Sequence, residues 1–117
     1  MLNVWVGMGR LGNDPEISES KDNTIARFSI AVPQYDNESV TWVNVTAFGK
    51  TADFVEKYFT KGMRVVVRGR LDTGTYESKD KKGNVTNVPY ARIIADGVDF
   101  ADSKAETEEE PKRAKKR

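Results

Sequence analysis

The chain has 117 residues, of which 38% are hydrophobic and 32% are charged, and its formal net charge at pH 7 is +1. This length suits one domain with one modest core. Cysteine and histidine are both absent, which excludes disulfides, thiolate chemistry, and the usual general base and metal ligand at neutral pH. We therefore expect no catalytic residue, no cofactor and no metal. The lack of cysteine and of a recognisable secretion signal favours a reducing cytosol.

Alternating apolar residues, turn residues and one stretch of helical spacing divide the chain into five strands and one helix. In chain order the predicted elements are a strand over 2–12, a polar connection over 14–23, a strand over 24–32, a turn over 33–39, a strand over 40–48, a helix over 50–59, a strand over 63–76, a hairpin tip over 78–84 and a strand over 85–100. Three strands, a helix and two strands is the order of the OB-fold. We predict an all-β domain over residues 1–100, a five-stranded β-barrel with one short helix.

Large apolar residues disappear after residue 100, where the sequence becomes acidic over 106–110 and then basic over 112–117. Such a segment cannot bury enough apolar surface to order itself. We predict that residues 101–117 form a disordered tail. Its basic end either contacts an anionic partner or is simply solvated.

The strand over 40–48 has two faces of different character. One face is apolar, whereas the other carries two aromatic rings, Trp42 and Phe48, with the polar side chains of Asn44 and Thr46 between them. Rings held on a rigid strand beside hydrogen-bonding groups suit the faces of unpaired nucleobases. The alternative is a second core face, covered by the helix or by a partner subunit.

Positive charge is concentrated after Phe48, where ten basic residues face seven acidic ones up to Phe100. A local patch of this kind matters more for phosphate binding than the net charge. The candidate stacking residues are Trp42, Phe48, Tyr76 and Tyr35. The candidate phosphate contacts are Arg10, Lys50, Arg68, Arg70, Lys79, Lys81 and Lys82. The alternatives are that Tyr76 lies in the barrel core, that Tyr35 is only a turn residue, and that single cations are merely solvated.

Three motifs together carry a family resemblance: Gly-Arg-Leu-Gly-Asn-Asp-Pro-Glu over 9–16, the segment 42–52 with its Ala-Phe-Gly-Lys-Thr-Ala end, and Tyr-x-x-Lys-Gly followed by Val-x-Gly-Arg-Leu over 58–71. Through them, residues 2–100 resemble the bacterial-type single-stranded DNA-binding proteins, which include phage and mobile-element members. The resemblance implies an OB-fold, a homotetramer, and sequence-independent binding of single-stranded DNA in replication, recombination and repair. It also implies base stacking at Trp42, Phe48, Tyr76 and Tyr35, and a location in the cytoplasm of a bacterial or phage-infected cell.

The sequence departs from this family in three places, of which the first is a short loop over 33–40 that implies a smaller DNA footprint. Residues 4–8 read Val-Trp-Val-Gly-Met instead of a smooth aliphatic run, which leaves a dimer as an alternative to the tetramer. The basic end over 112–117 stands where the family carries an acidic tip ending in Ile-Pro-Phe, so recruitment of proteins through that tip is not implied. Two other classes fit the fold: an adaptor with a protein partner, as in a primosome, and a small nuclease, which the lack of histidine disfavours. We expect no membrane partner.

Overall fold

The structure, a computed structural model, describes residues 1–101. In this part of the chain the elements are β1 (Trp5–Leu11), β2 (Glu16–Ser20), β3 (Asn23–Pro33), β4 (Val40–Phe48), α1 (Gly49–Tyr58), β5 (Arg64–Lys79) and β6 (Val85–Phe100). The strands form one sheet in the order β1-β5-β6-β4-β3-β2. A further pairing of β1 with β3, at Arg10↔Ala31 and Leu11↔Ile30, closes the sheet into a barrel. The predicted all-β fold with one short helix is confirmed.

The hydrophobic core lies inside this barrel and beneath α1. Its largest fully buried side chains are Ile30, Val45, Val55, Val65 and Val67. Helix α1 contributes Ala52 and Val55 to the core, and Phe59 packs edge-to-face on Phe28 with 5.7 Å between ring centroids. Each fully buried side chain of this size stabilises the fold by roughly 1.5–3 kcal/mol. In the described residues no helix has the length and apolarity needed to cross a membrane.

The segment Glu16–Ser20 forms a strand, β2, where the sequence predicted a polar connection. It pairs with β3 along its whole length as a hairpin. Ile17 is its one apolar residue, so the alternation was too weak to reveal a strand. The turn consists of Lys21 and Asp22, both with positive φ (48° and 69°). Two such residues typify a type I′ turn, which Asn-Gly usually signals, so the turn was hidden too.

Strand β1 begins later than predicted, at Trp5, because the residues before it pair through a side chain. The amide of Asn3 takes the place of a backbone peptide beside β5. Its Nδ2 donates to the carbonyl of Leu71 at 2.9 Å, and its Oδ1 accepts the N–H of the same residue at 3.0 Å. This amide pair fixes the start of the chain along the edge of the barrel.

Strands β5 and β6 extend past the barrel as a two-stranded ribbon. Strand β1 pairs with β5 only over 64–69, whereas the pairing of β5 with β6 continues to Lys79↔Val85. At the tip, the Asp80 carboxylate accepts the N–H groups of Lys82 and Asn84, both at 2.8 Å. The backbone donor of Asn84, foremost among these, lowers the pKa of Asp80. The tip therefore has a defined turn that presents its lysines to solvent.

Candidate nucleic-acid interface

The rings of Trp42 and Phe48 lie on the outer face of β4. Their exposed fractions are 59% and 42%, whereas Val45 and Ala47, which point the other way, are buried. The two-residue period of β4 therefore separates the rings from the core. The alternative interpretation, a second core face covered by the helix, is wrong for these two side chains because α1 leaves them open to solvent.

Strand pairing extends this outer face from β4 onto β6 and the ribbon. Strands β4 and β6 pair in parallel, with Thr46 opposite Ile94, so the alternate residues Arg92 and Tyr90 follow on the same face. Further along β6, Val88 pairs with Tyr76 of β5. Because paired residues share a face, the register places Tyr76, which is 54% exposed, on the surface that carries Trp42 and Phe48. The alternative of Tyr76 in the core is wrong.

Tyr35 lies at the turn between β3 and β4, where its side chain is fully exposed. The turn is held by Asp36, whose carboxylate accepts the N–H groups of Glu38 at 2.9 Å and Ser39 at 3.3 Å. These donors, that of Glu38 foremost, lower the pKa of Asp36. Within residues 1–101 Tyr35 makes no contact with another ring, and its stacking role stays a prediction.

Four of the predicted phosphate contacts are exposed lysines at two places. Lys79, Lys81 and Lys82 cluster at the tip of the ribbon, beyond Tyr76 on β5. Lys50 lies at the start of α1, two residues after Phe48. The outer face therefore has lysines near the tip of the ribbon at one end and near the start of α1 at the other. A DNA strand whose bases stack on this face would need such cations beside its phosphates.

Two of the three predicted arginine contacts, Arg68 and Arg10, have protein partners of their own. Arg68 pairs with Asp96 at 3.2 Å, and both side chains are more than half exposed. Such an exposed pair is weak, about 0–1 kcal/mol, and exchanges readily for a phosphate. Arg70 is exposed on β5. Arg10 donates from Nη1 to the carbonyl of Gly62 at 3.0 Å, so its guanidinium also ties β1 to the loop before β5.

A polar groove of about 590 Å³ opens on the outer face, along the part of β4 between the two rings. Its polar lining includes Asn44 and Thr46 on β4, with Arg27 on one side and Arg92 on the other. The Arg92 guanidinium lies 5.6 Å from the centre of the Tyr90 ring, and its Nε lies 2.9 Å from the Asp72 carboxylate. Across the described residues, no three metal-binding side chains gather in a cluster that could hold an ion.

Neither of the two arginines that line this groove, Arg27 and Arg92, was among the site residues predicted from the sequence. The sequence does not show that β6 lies beside β4 in parallel, which brings Arg92 next to Asn44. Arg27 reaches the groove through the pairing of β3 with β4, where it lies opposite Thr46.

The indole of Trp42 rests against the backbone of Gly12. A Cβ atom at Gly12 would lie 2.5 Å from Cζ3 and 2.9 Å from Cη2 of the indole, closer than real Cβ contacts allow. The neighbouring Asn13 is fixed to β3, since its Oδ1 accepts the N–H of Ser29 at 3.2 Å and the hydroxyl of the same residue at 2.9 Å. The ring is therefore supported on one side by a rigid backbone and exposed elsewhere.

Comparison with known proteins places this architecture in a family. Residues 2–101 match the family model described as "Single-strand binding protein family". A "Single-stranded DNA-binding protein" of Fusobacterium nucleatum is 36% identical over 111 residues, covering 88% of this chain and 69% of the relative. One of the same name from Clostridium perfringens is 33% identical, covering 87% and 67%. The solved structure titled "Plasmodium falciparum SSB complex with ssDNA" has a TM-score of 0.73 at 26% identity, covering 87% of this chain and 96% of that one. This chain belongs to the single-strand binding protein family.

Proposed function

We propose that this chain binds single-stranded DNA without sequence preference and protects it during replication, recombination and repair in the cytoplasm. The observation that carries the proposal is the shared outer face of Trp42, Phe48 and Tyr76, with lysines near both ends. A base stacked on such a ring contributes roughly 1–3 kcal/mol whatever its identity. Family membership and the DNA-bound structural neighbour support the same activity. We propose no catalytic step, since the chain has neither histidine nor cysteine.

The test is a comparison of three nucleic acids of one mixed sequence: a labelled single DNA strand, its duplex, and the matching RNA. We expect fluorescence anisotropy to show at least about tenfold tighter binding to the single DNA strand than to the duplex, because a duplex hides its base faces. Equal affinity for strand and duplex would mean that charge alone drives binding. Binding to none of the three would contradict the proposal and favour a protein-binding adaptor.

We further propose that copies of the chain associate through β1, as the first interface of a homotetramer. Four alternate apolar side chains run along β1 and the residues just before it, and each is at least 48% exposed: Leu2, Val4, Val6 and Met8. Over residues 5–9, the described chain pairs only one edge of β1. An open strand edge beside an apolar row suits antiparallel pairing with the same strand of a second copy. A dimer without further assembly is the alternative.

Gly12→Ala tests whether the backbone beneath Trp42 positions the ring. The added methyl would occupy the place of the indole edge, so we expect the ring to tilt and oligo-dT binding to weaken, by less than the loss caused by removing the ring. Quenching of tryptophan fluorescence per bound strand should also decrease. The matched control is Gly97→Ala, where a Cβ would have only ordinary contacts, the nearest at 3.6 Å. Unchanged affinity and quenching in Gly12→Ala would contradict this role.

A further inference from the structure

The groove on the outer face holds a buried hydroxyl that lacks a hydrogen-bond partner. Thr46 is 4% exposed and lines the groove, yet its Oγ1 makes no hydrogen bond within residues 1–101. Buried polar groups in native proteins are nearly always satisfied, and leaving one unpaired is costly. A polar group of a ligand that enters the groove could therefore form a hydrogen bond with this hydroxyl.

The neighbouring Asn44 faces the same groove and is likewise without a hydrogen-bond partner in the described chain. A hydroxyl can rotate and an amide can turn over, so each group can act as donor or acceptor. The edge of every nucleobase carries both donors and acceptors. These two side chains can therefore hydrogen-bond the edge of any base. A fixed set of donors would instead select one kind of base.

The charges that line the groove favour a base over a phosphate. Glu16 lies directly opposite Arg27 in the pairing of β2 with β3, and Asp72 pairs with Arg92 at 2.9 Å. Arg92 is thus ion-paired, and Arg27 has the Glu16 carboxylate on the neighbouring strand, so the positive charge of the two arginines is partly offset and attracts a phosphate less strongly. The tip of the ribbon, by contrast, carries three exposed lysines around the single carboxylate of Asp80: Lys79, Lys81 and Lys82. The tip is therefore net positive and suits the phosphates.

The position of the groove also fits a base. Trp42 and Phe48 are six residues apart on one strand, which at about 3.3 Å per residue separates them by roughly 20 Å. Bases stacked on both rings would leave an interval above Asn44 and Thr46. A nucleotide that spans this interval has its base over the groove.

We propose that this groove is a base-edge subsite, in which Thr46 and Asn44 hydrogen-bond a nucleobase lying between those stacked on Trp42 and Phe48. The inference rests on the proposed binding of single-stranded DNA and adds a second source of affinity to stacking. Because the two groups adapt to any base, they strengthen binding without selecting a sequence. Stacking alone would predict that the hydrogen-bonding edges of the bases are irrelevant.

The experiment crosses a protein variant with a modified DNA. The variant is Thr46→Val, which keeps the shape of the side chain and removes its hydroxyl. The modified DNA is oligo-dT in which difluorotoluene replaces the thymine bases. Difluorotoluene is a thymine isostere that stacks but forms hydrogen bonds poorly. We expect wild type to bind the isostere about 3- to 10-fold more weakly than oligo-dT, the usual range for one or two hydrogen bonds. Thr46→Val should bind oligo-dT more weakly and show a reduced difference between the two DNAs. Thr46→Ser should restore much of the loss.

Two controls separate a binding role from a structural one. Thr46→Val should raise the melting temperature of the free protein, because it removes an unpaired buried hydroxyl. If the hydroxyl stabilised the fold, its removal would lower the melting temperature instead. Thr73→Val makes the same change at an exposed position on the other face of the ribbon, and both DNAs should bind it as they bind wild type. If Thr46→Val fails to fold, Asn44→Ala at an exposed position should show the same reduced difference.

The outcomes distinguish this inference from the proposed function. Tight binding of oligo-dT by wild type with equal affinity for the isostere would overturn the subsite and leave the proposed function intact. An undiminished affinity of Thr46→Val for oligo-dT would also overturn it. Failure of wild type to bind oligo-dT at all would overturn the proposed function, and the subsite with it.

Discussion

Trp42→Ala is expected to weaken the binding of oligo-dT by about 5- to 140-fold, the equivalent of one lost stacking platform. Phe48→Ala is expected to fall in the same range. Because both rings are largely exposed on the outer face of β4, their removal opens no cavity in the core and should leave the melting temperature nearly unchanged. Anisotropy titration with labelled oligo-dT, together with thermal unfolding followed by circular dichroism, measures the two effects separately.

The matched control for this pair is Tyr58→Ala. Tyr58 is also a half-exposed aromatic residue, at 43%, but it lies on α1 and packs against Phe54, with 4.9 Å between ring centroids. We expect its removal to leave the affinity for oligo-dT unchanged within about twofold. If Trp42→Ala and Phe48→Ala both unfolded the protein, the rings would belong to its core. If both folded and bound oligo-dT as wild type does, stacking on β4 would be excluded.

The double substitution Val4→Asp with Val6→Asp is expected to convert the assembled protein to monomers. It places two carboxylates in the apolar row along β1, and burying unpaired charges in an interface is prohibitively costly. Light scattering coupled to size-exclusion chromatography should show the mass fall from that of a tetramer, or of a dimer, to that of a single chain. The domain should remain folded because both side chains are more than half exposed.

Two carboxylates placed elsewhere provide the control for charge itself. Thr73→Asp with Thr75→Asp changes the charge equally on an exposed stretch of β5, and it should leave the mass unchanged. A wild-type protein that already elutes as a monomer, or an unchanged mass in the β1 variant, would contradict the proposed interface.

Local pattern was sufficient to predict every element except β2, and the orientation of the main rings. The alternation along residues 40–48 separates Trp42 and Phe48 from Val45 and Ala47 without any knowledge of the other strands, because side chains in a strand alternate strictly between two faces. The helix was predicted from its spacing and from Gly62 as its end, and that glycine has a φ of +88°. These features depend only on residues close together in the chain, so they can be predicted from the sequence alone.

Features that depend on pairing between distant strands could not be predicted. Arg92 comes beside Asn44 only because β6 lies parallel to β4, and the groove exists only where four strands meet. The support of Trp42 by Gly12 depends equally on the closure of the barrel by β1 and β3. Strand β2 was missed for a local reason, since its two-residue turn is Lys21-Asp22, which lacks the glycine that usually signals a type I′ turn.

Several predictions stay as they were made from the sequence. The disordered tail and its effect on DNA binding concern residues that, from 102 onward, lie outside the described part of the chain. The roles of the individual cations in phosphate binding are likewise predictions, among which the lysines of the ribbon tip have the clearest access to solvent. The stacking role of Tyr35 belongs with them, since its side chain is fully exposed and contacts no other ring within residues 1–101.

The most direct test of the central claim, that exposed rings on β4 stack on bases, uses the two tryptophans of the chain. Trp5 packs against the core, whereas Trp42 is exposed on the outer face, so Trp42→Phe and Trp5→Phe each leave one reporter. On titration with oligo-dT, we predict that the fluorescence of Trp5→Phe, which comes from Trp42, is strongly quenched. The fluorescence of Trp42→Phe, which comes from Trp5, should show almost no quenching. Quenching that persists in Trp42→Phe and vanishes in Trp5→Phe would contradict the claim.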